Sequence, residues 1–301
     1  MSPSKAVGIE SKWLICEQAH FIGQGAIHSS DLTTKPFSST ILSMKGPYGR
    51  MVDGGQRLAR VLGEGVGHLL WPRLCLNCKT PTPVKQGTLC QSCWGDILAC
   101  TAGQYCPTCG LDVSAYAVFD RRCPQCVNER FHFDQLLRCG VYDLGFRDMI
   151  LAFKNGRTEM DTVLGPMAGH MLQGHPLAGE IQVFVPVPLH WTRRMGRGYN
   201  QAQLLARVLR FRGIPVSMAL KRKRRTLPQP VAGSVGARRR NVEGAFAVGR
   251  PASIQGRCVC VVDDIKTTGA TLSECARILR QAGAKRVYVL VLAVAGQRSV
   301  G

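Results

Sequence analysis

The chain has 301 residues, of which 45% are hydrophobic, so most of it is expected to fold into one or two domains with a real core, and a largely disordered protein is excluded. The longest apolar run near the C-terminus, residues 287–296, is too short to cross a bilayer, which takes about 20 residues, so we expect a buried strand and no membrane insertion. Because the first residues lack the layout of a secretory signal, we expect a cytoplasmic protein, in which cysteines serve more often as metal ligands than in disulfides.

The formal charge of +20 is distributed unevenly along the sequence. Between Glu180 and Glu243 there are fourteen lysines and arginines and no acidic residue. A basic zone of this kind attracts polyanions, so it predicts a nucleic acid or a polyphosphate ligand. The alternative is a solvated surface without a ligand, although surfaces normally interleave both signs of charge.

The first 72 residues show only weak patterning. Residues 1–50 scatter Ser, Thr, Gly and Pro without a persistent period of 2 or 3.6, which predicts a disordered extension or a start codon assigned too far upstream. Residues 51–72 place Leu58, Val61 and Leu62 at helical spacing, and we expect a helical lead-in there.

Residues 73–130 form a cysteine-rich module. Its eight cysteines come as four CxxC pairs, with 11 residues between the first and second pairs and 13 between the third and fourth. A CxxC turn points two thiolates at one place, and two such turns complete a tetrahedral zinc site. The pattern predicts two structural zinc sites, whose metal would supply the folding energy of a segment with few apolar residues. The predicted ligands are Cys75, Cys78, Cys90, Cys93, Cys106, Cys109, Cys123 and Cys126.

The way in which the four pairs combine is open from the spacing alone. Sequential sites, with the first pair facing the second and the third facing the fourth, are favoured, but a crossed arrangement fits the same cysteines. The alternatives to zinc are disulfides or a redox CxxC, which would need only one such pair at a strand–helix junction. Cysteines farther along lack partners at ligand spacing and are expected to be small buried apolar residues, namely Cys139, Cys258, Cys260 and Cys275.

Helical and strand patterns alternate from residue 131 to residue 301. Apolar residues at helical spacing predict a helix that ends near Lys154 and three more over 160–167, 202–209 and 272–279. Apolar runs typical of buried parallel strands predict strands at 181–188, 257–262 and 286–294. This order predicts an α/β domain with a doubly wound, mostly parallel sheet, preceded by the small zinc-ribbon module.

The stretch VVDDIKTTGATL, residues 261–272, joins a predicted strand to a predicted helix. Open α/β sheets bind ligands at this carboxyl end of their strands. The loop leads into the helix, so its backbone N–H groups and the helix dipole can hold a phosphate, and Gly269 lets the backbone approach closely. The predicted phosphate-binding residues are Thr267, Thr268, Gly269, Ala270 and Thr271.

Asp263 and Asp264 would repel that phosphate unless they meet hydroxyl groups or a cation. A ribose 5-phosphate satisfies both ends, with its phosphate in the loop and its 2′- and 3′-hydroxyls on the two carboxylates. With a pyrophosphate on C1 and a bridging Mg²⁺, the ligand is phosphoribosyl pyrophosphate (PRPP). The alternative is that the two aspartates only cap the helix.

The string DDIKTTGAT resembles the PRPP-binding motif of type I phosphoribosyltransferases. Two further segments are similar to signatures of the competence protein F (ComF) family, VPVPLHWTRRMGRGYNQAQLLA at 185–206 and the segment at 220–246 that ends in RRRNVEGAF. A double zinc ribbon is also typical of that family, and the motifs follow its order from about residue 69 to 295. The resemblance implies a domain of the type I phosphoribosyltransferase kind and a link to DNA uptake in natural transformation.

The resemblance also implies roles for individual residues. Asp263 and Asp264 match the acidic pair that holds the ribose, and together with Arg225 they are the expected catalytic residues. The segment after Pro188 matches the part of such enzymes that binds pyrophosphate, and the segment that follows Arg225 matches a mobile loop that closes over PRPP. The candidates for contacts in these two segments are Arg193, Arg194, Arg197, Asn200, Gln201, Thr226, Gln229, Arg239 and Asn241. Lys154 matches a lysine of the family to which the resemblance assigns no role.

Three positions depart from the family pattern. Lys266 stands where the family usually has an apolar or aromatic residue, Tyr199 replaces the commoner Phe, and Ala237 replaces a residue that is often acidic. The implied reaction is substitution at C1 of PRPP, in which Mg²⁺ and the basic loops stabilise the departing pyrophosphate. The motifs leave the acceptor open.

A non-catalytic protein is the rival prediction. It would bind single-stranded DNA through the basic stretch 181–242 and the zinc ribbons, although aromatic residues for base stacking are few there, namely Trp191, Tyr199 and Phe211. A PRPP fold used for sensing is a third reading, since fold does not imply function. The expected partners are PRPP, single-stranded DNA and proteins of the competence machinery, and the resemblance adds a homodimer.

Overall fold

The computed structural model describes residues 73–83, 87–114, 116–224, 226 and 235–296, apart from the side chains of residues 193, 194, 211, 212 and 235. The expectations for residues 1–50 and 51–72 fall outside the described residues. The contacts between Cα atoms divide the chain between Gln91 and Ser92 into two units. In the described part of the chain, no helix is both long enough and apolar enough to cross a bilayer.

Helices and strands alternate through the second unit as the sequence predicts. The elements, in chain order, are α1 (Gln91–Thr101), β1 (Gln135–Val141), α2 (Leu144–Lys154), α3 (Asp161–Gln173), β2 (Val183–Pro186), α4 (Trp191–Arg197), α5 (Gln201–Val208), β3 (Leu220–Arg222), α6 (Val235–Val242), β4 (Phe246–Val248), β5 (Cys258–Lys266), α7 (Ala270–Gln281) and β6 (Arg286–Val294).

The main sheet has four parallel strands in the order β1–β6–β5–β2. Odd-numbered residues of β5, such as Val259 and Val261, share one core cluster with Leu272 and Cys275 of α7. Helix α5 also contacts β5, and because side chains alternate along a strand, the even-numbered residues face the side that α5 covers. Helices on both faces confirm the predicted doubly wound α/β fold.

Strand β5 is longer than the sequence pattern indicates. The apolar run ends at Val262, but pairing with β6 continues through Lys266, whose partner is Val294. Asp263 and Asp264 therefore lie within β5, near its carboxyl end, and not in a loop beyond the strand. Since successive side chains of a strand point to opposite faces, the two carboxylates belong to different sides of the sheet.

The pattern of apolar residues does not predict β1 or the two-stranded antiparallel pair formed by β3 and β4. Strand β1 carries Arg138 at its centre, and the side chain of that arginine is buried. It pairs with Asp112, donates from Nη1 to the Gly110 carbonyl at 2.7 Å and stacks over the Tyr105 ring at 4.9 Å. Arg138 thus fixes the segment that carries Cys106 and Cys109 to the edge of the sheet, a use of arginine that binary patterning misses.

Candidate functional site

The eight predicted zinc ligands form two groups of four. Within each group the sulfur atoms all lie within 4.8 Å of one another, and the groups are Cys75, Cys78, Cys90, Cys93 and Cys106, Cys109, Cys123, Cys126. We call them the first and the second cysteine cluster. The sequential pairing favoured by the sequence is confirmed, and crossed pairing is excluded by these distances.

The geometry of both clusters fits zinc. Tetrahedral zinc with Zn–S near 2.3 Å places its sulfur atoms about 3.8 Å apart. The sulfur–sulfur distances are 3.6 Å for Cys106 and Cys126 and 3.5 Å for Cys109 and Cys123. In the first cluster, Cys78 and Cys90 are 3.6 Å apart. Zinc bound at these distances would cross-link turns that are far apart in the sequence.

Each cluster begins with the same backbone turn. The N–H group of Lys79 donates to the Cys75 carbonyl at 3.1 Å, and that of Gly110 donates to the Cys106 carbonyl at 2.7 Å. The residue after the second cysteine is left-handed in both turns, with φ of 64° at Lys79 and 77° at Gly110. At the second turn glycine also avoids a close contact, because a Cβ there would lie 2.6 Å from a side-chain atom of Leu136.

The acidic pair lies at the carboxyl end of the central strand, as predicted. Asp264 is buried and faces Lys154, whose Nζ lies 3.4 Å from its Oδ1 atom. Asp263 points to the opposite face, where its charge acts on the Cys275 thiol of α7 and interacts with Arg222 of β3. Lys154 thus acquires a position that the sequence leaves unassigned, since it ends α2 and carries the positive charge beside Asp264.

The two carboxylates influence each other. Desolvation by burial and the neighbouring charge of Asp264 raise the pKa of Asp263 to about 7, against the lowering effects of the Asp264 N–H group, Lys154 and Arg222. Two adjacent carboxylates disfavour double ionisation, so in the ligand-free state the neighbouring positive charges do not fully offset their repulsion. Hydroxyl donors or a cation from a ligand would relieve this repulsion.

The loop after β5 has the geometry of an anion site. Gly269 has a φ of 80° and immediately precedes α7, whose first residue is Ala270. Behind the glycine there is no space, since a Cβ would lie 2.9 Å from the Phe131 ring and 3.0 Å from Lys266. Thr268 Oγ1 accepts from the Ala270 N–H group at 3.4 Å. The helix has 12 residues, so its N-terminal dipole favours an anion at this loop.

Within the GYNQ segment, Gly198 to Gln201, the side chains of Tyr199, Asn200 and Gln201 bond to the protein itself. Asn200 caps α5 by accepting from the Ala202 N–H group at 3.1 Å and donates to the Val187 carbonyl at 3.0 Å. Gln201 donates to the Lys154 carbonyl at 3.3 Å. The Tyr199 hydroxyl donates to the Phe153 carbonyl and accepts from the Gly156 N–H group at 3.1 Å. These side chains connect β2, α5 and the end of α2.

The arginines before this segment are described only in part. Arg193 and Arg194 lie in α4, and the description does not extend to their side chains. Arg197 ends α4, and its Nη1 atom lies 3.5 Å from Gln201 Oε1. The helix contains three arginines, so it brings a concentrated positive charge to the segment after β2.

The predicted closing loop is bounded by described residues. Arg225 and Gln229 lie outside the described residues. Thr226 accepts from Arg222, Arg239 pairs with Glu129, and the Asn241 carbonyl accepts from Arg224 at 3.2 Å. These contacts anchor both ends of the segment to the hairpin β3–β4 and to the end of the cysteine-rich module.

Two residues of the site are missed by sequence reasoning. Arg222 lowers the pKa of Asp263, and Phe131 lies behind Gly269. Arg222 is one of several consecutive basic residues, so its inward direction cannot be read from composition. For Phe131 the sequence contains no signal, because its contact with Gly269 joins residues far apart in the chain.

A central acidic pair, an anion loop and two zinc-type clusters define a protein with a phosphoribosyltransferase fold and a double zinc ribbon. Family models agree, since the phosphoribosyl transferase domain matches residues 195–300 and the double zinc ribbon domain matches residues 66–127. The double zinc ribbon precedes the phosphoribosyl transferase domain, which is also the order of the sequence motifs.

Three similar proteins indicate the family within this class of protein. "Competence protein F" of Haemophilus influenzae is 29% identical over 73% of this chain and 96% of that protein. "DNA utilization protein YhgH" of Escherichia coli strain K12 is 30% identical over 73% of this chain and 96% of that protein. "Competence protein ComFC" of Bacillus subtilis is 26% identical over 65% and 79% of the two chains. The chain belongs to the competence protein F (ComF) family.

Proposed function

We propose that the carboxyl end of β5 and the start of α7 bind PRPP together with Mg²⁺, and that the domain transfers ribose 5-phosphate to an acceptor with release of pyrophosphate. One observation supports this most strongly. The Asp263–Asp264 pair and a left-handed Gly269 that opens a helix stand at a single strand–helix junction of the central strand. Such a junction offers hydroxyl acceptors and a phosphate cradle within the length of one sugar phosphate.

In this proposal, different residues bind different parts of PRPP. The loop from Thr267 to Thr271 receives the 5-phosphate through backbone N–H groups and threonine hydroxyls, because the helix dipole favours an anion there. Asp263 and Asp264 accept hydrogen bonds from the ribose hydroxyls. Lys154 holds Asp264 in place, since its Nζ lies 3.4 Å from the Asp264 Oδ1 atom. Arg193, Arg194 and Arg197 bring positive charge to the pyrophosphate.

Carboxylates with substrate phosphates are the ligand set that Mg²⁺ prefers, so the acidic pair fits this ion. When bound, Mg²⁺ supplies positive charge that stabilises the departing pyrophosphate. The bond between C1 and the pyrophosphate oxygen breaks, the electron pair leaves with pyrophosphate, and the acceptor forms the new bond to C1. The carboxylates balance the positive charge that develops on the ribose, and Arg225 would contribute from the closing loop.

PRPP titration calorimetry with the full-length, zinc-loaded protein tests the proposal. We expect binding that strengthens when Mg²⁺ is added, and weaker, Mg²⁺-insensitive binding of ribose 5-phosphate, which lacks the pyrophosphate. Incubation with PRPP and fractionated cell extract, followed by pyrophosphate release, then identifies the acceptor. An absence of PRPP binding in both conditions would contradict the proposal.

A second candidate function is binding of single-stranded DNA. The relatives are named as competence and DNA utilization proteins, and the basic helix α4 begins with Trp191, which is 64% exposed. Of the other aromatic residues of the stretch, Phe184 is buried, Tyr199 is held by α2, and the side chain of Phe211 is not described. One exposed indole beside arginines is suited to base stacking. In this function we propose a role in DNA uptake, with competence-machinery proteins and a second copy of the chain as partners in the cytoplasm.

Fluorescence anisotropy of labelled single-stranded DNA at increasing salt tests this second function. We expect affinity to fall steeply with salt, because lysines and arginines displace counterions from phosphates. Trp191→Ala is expected to weaken binding by about 1–3 kcal/mol, the usual contribution of one stacked base. Met195→Ala, which removes an exposed side chain from the same helix, is the matched control. A response that is flat with salt, or equal losses in both variants, would exclude this function.

A further inference from the structure

The segment from Glu129 to Asp134 connects the second cysteine cluster to β1 and also contacts the helix that starts at the anion loop. The His132 N–H group donates to Ser273 Oγ of α7 at 3.1 Å. Arg280, near the end of the same helix, donates to the His132 carbonyl at 2.6 Å and pairs with Asp134 at 2.7 Å. The segment therefore fixes α7 at two points along its length.

Phe131 of this segment is in contact with both the second cysteine cluster and the anion loop. On one side its ring packs against the four cysteines of the cluster. On the other side it lies behind Gly269, where a Cβ would come within 2.9 Å of the ring. Phe133 stacks on it with ring centroids 4.9 Å apart, which limits its movement. A contiguous path of packed groups thus joins the cluster to the loop.

Lys266 forms the second part of this path. Its side chain is only 4% exposed, its Nζ lies 5.6 Å from the centre of the Phe131 ring, and it donates to the Thr267 carbonyl at 3.3 Å. In a trans peptide the C=O and the following N–H point in opposite directions. Holding the Thr267 carbonyl from beneath therefore directs the Thr268 N–H group away from Lys266, toward the side where an anion would lie.

A buried ammonium is costly unless negative charge stands near it. Four thiolates and one Zn²⁺ carry a net charge of −2, since four charges of −1 are added to one of +2. Burial lowers the pKa of Lys266, and Cys109 of the second cluster acts most strongly to raise it again. A loaded cluster thus favours the charged lysine that the loop uses, at a position where the family usually has an apolar or aromatic residue.

We propose that the second cysteine cluster, through Phe131 and Lys266, holds the loop of residues 267–271 in the conformation that receives a phosphate. Phosphate binding at the loop then depends on metal in this cluster. The identity of the phosphate ligand rests on the proposed PRPP function, but the conformational dependence does not. Phe131 and Lys266 are positioning residues, since both act on the loop from behind.

Hydrogen exchange of the loop amides tests this inference without any ligand. In the full-length, zinc-loaded protein, Phe131→Ala is expected to accelerate exchange at residues 267–271 about tenfold or more, because local opening becomes easier. Phe119→Ala removes a phenylalanine that is 89% exposed in the same module, and it is expected to leave exchange at the loop unchanged. Exchange in β6 provides an internal measure that the sheet remains folded.

Zinc removal and a ligand titration complete the experiment. Chelation is expected to accelerate loop exchange in the wild type, and to add little in Phe131→Ala, because the path is already broken. Lys266→Met keeps the length of the side chain and is expected to weaken PRPP–Mg²⁺ binding about tenfold, a loss of one hydrogen bond to a charged group. Lys285→Met, at an exposed lysine, is the matched control.

The outcomes separate this inference from the proposed function. If the wild type binds no PRPP, the proposed function fails, while loop exchange still decides the inference. If Phe131→Ala and Lys266→Met retain wild-type loop exchange, or if chelation accelerates exchange equally in the wild type and Phe131→Ala, the inference is overturned. If Phe131→Ala no longer unfolds cooperatively, loop exchange is instead compared between the wild type and the variants Phe131→Leu and Lys266→Met.

Discussion

The two most distinctive motifs of this chain serve different physical purposes. In DDIKTTGAT, the carboxylates and the loop stand at the carboxyl end of β5, which is the part of an open α/β sheet where ligands generally bind. In the GYNQ segment, Tyr199, Asn200 and Gln201 direct their polar groups to backbone atoms of the protein itself. A motif typical of a family thus indicates that its residues are needed, and the structure shows that the polar side chains of the GYNQ segment bond to the protein itself.

The supports nevertheless determine the site. Asn200 holds the Val187 carbonyl, and the Val187 N–H group donates to the Val262 carbonyl at 2.9 Å, one residue before Asp263. Gln201 and Tyr199 hold the last turn of α2, which ends at Lys154. The segment therefore places Lys154 beside Asp264 through short chains of hydrogen bonds, and we interpret it as the frame of the acidic pair.

Asn200→Ala gives the largest expected loss of stability. The change removes the cap of α5, worth about 1 kcal/mol, and leaves the Val187 carbonyl without its donor, which costs about 1–3 kcal/mol. We expect urea unfolding to show a loss of about 2–4 kcal/mol in the free energy of unfolding. Arg207→Ala, at an exposed position of the same helix, is the control. A variant of full stability that binds PRPP more than about tenfold more weakly would assign Asn200 to the ligand instead.

The acidic pair should show an unusual dependence on pH. The pKa of Asp263 is raised to about 7 in the folded protein, against 3.8 for an unperturbed group, so the folded state retains a proton that the unfolded state releases. The free energy of unfolding should therefore fall as pH rises from about 4 to about 7 and level off above that. Affinity for PRPP–Mg²⁺ should change in the opposite direction, since the ionised carboxylate is the acceptor.

Asp263→Asn tests this pH effect directly. The asparagine does not titrate, so the decline in stability across that range should disappear. Urea titrations of both proteins at several pH values measure it. An identical decline in the variant would locate the titrating group elsewhere.

Tyr199→Phe gives the smallest expected effect. It removes the hydroxyl that bridges the Phe153 carbonyl and the Gly156 N–H group, and it restores the commoner residue of the family. We expect a loss of about 1 kcal/mol in the free energy of unfolding and little change in PRPP affinity. Tyr116→Phe, at a tyrosine that is 99% exposed, controls for loss of the hydroxyl alone. A large loss of affinity would mean that the end of α2 is held mainly by Tyr199.

Sequence patterns predict the parts of the fold that repeat a local period. Regular apolar spacing reveals α2, α3, α5 and α7, and the CxxC spacing gives both cysteine clusters because each ligand pair is local. Strand β1 is not predicted because Arg138 interrupts its apolar run, and the partners of that arginine, Asp112 and Gly110, lie in a distant segment.

The candidate site is predicted at the level of the loop and the acidic pair. The strand–loop–helix order places Asp263 to Thr271 without knowledge of the tertiary structure. The inward direction of Asn200 and Gln201, the pairing of Lys154 with Asp264, and the position of Phe131 behind Gly269 depend on contacts between remote segments. No local period carries that information.

The affinity of the double variant Asp263→Asn/Asp264→Asn for PRPP in the presence of Mg²⁺ tests the central claim most directly. Each carboxylate is expected to contribute a charge-assisted hydrogen bond of about 1.5 kcal/mol or more, so the double variant should bind about 100-fold more weakly than the wild type. Its free energy of unfolding should be unchanged or higher, because the substitution removes the repulsion between two adjacent carboxylates. Equal affinities in the two proteins would contradict the assignment of a PRPP site to this strand end.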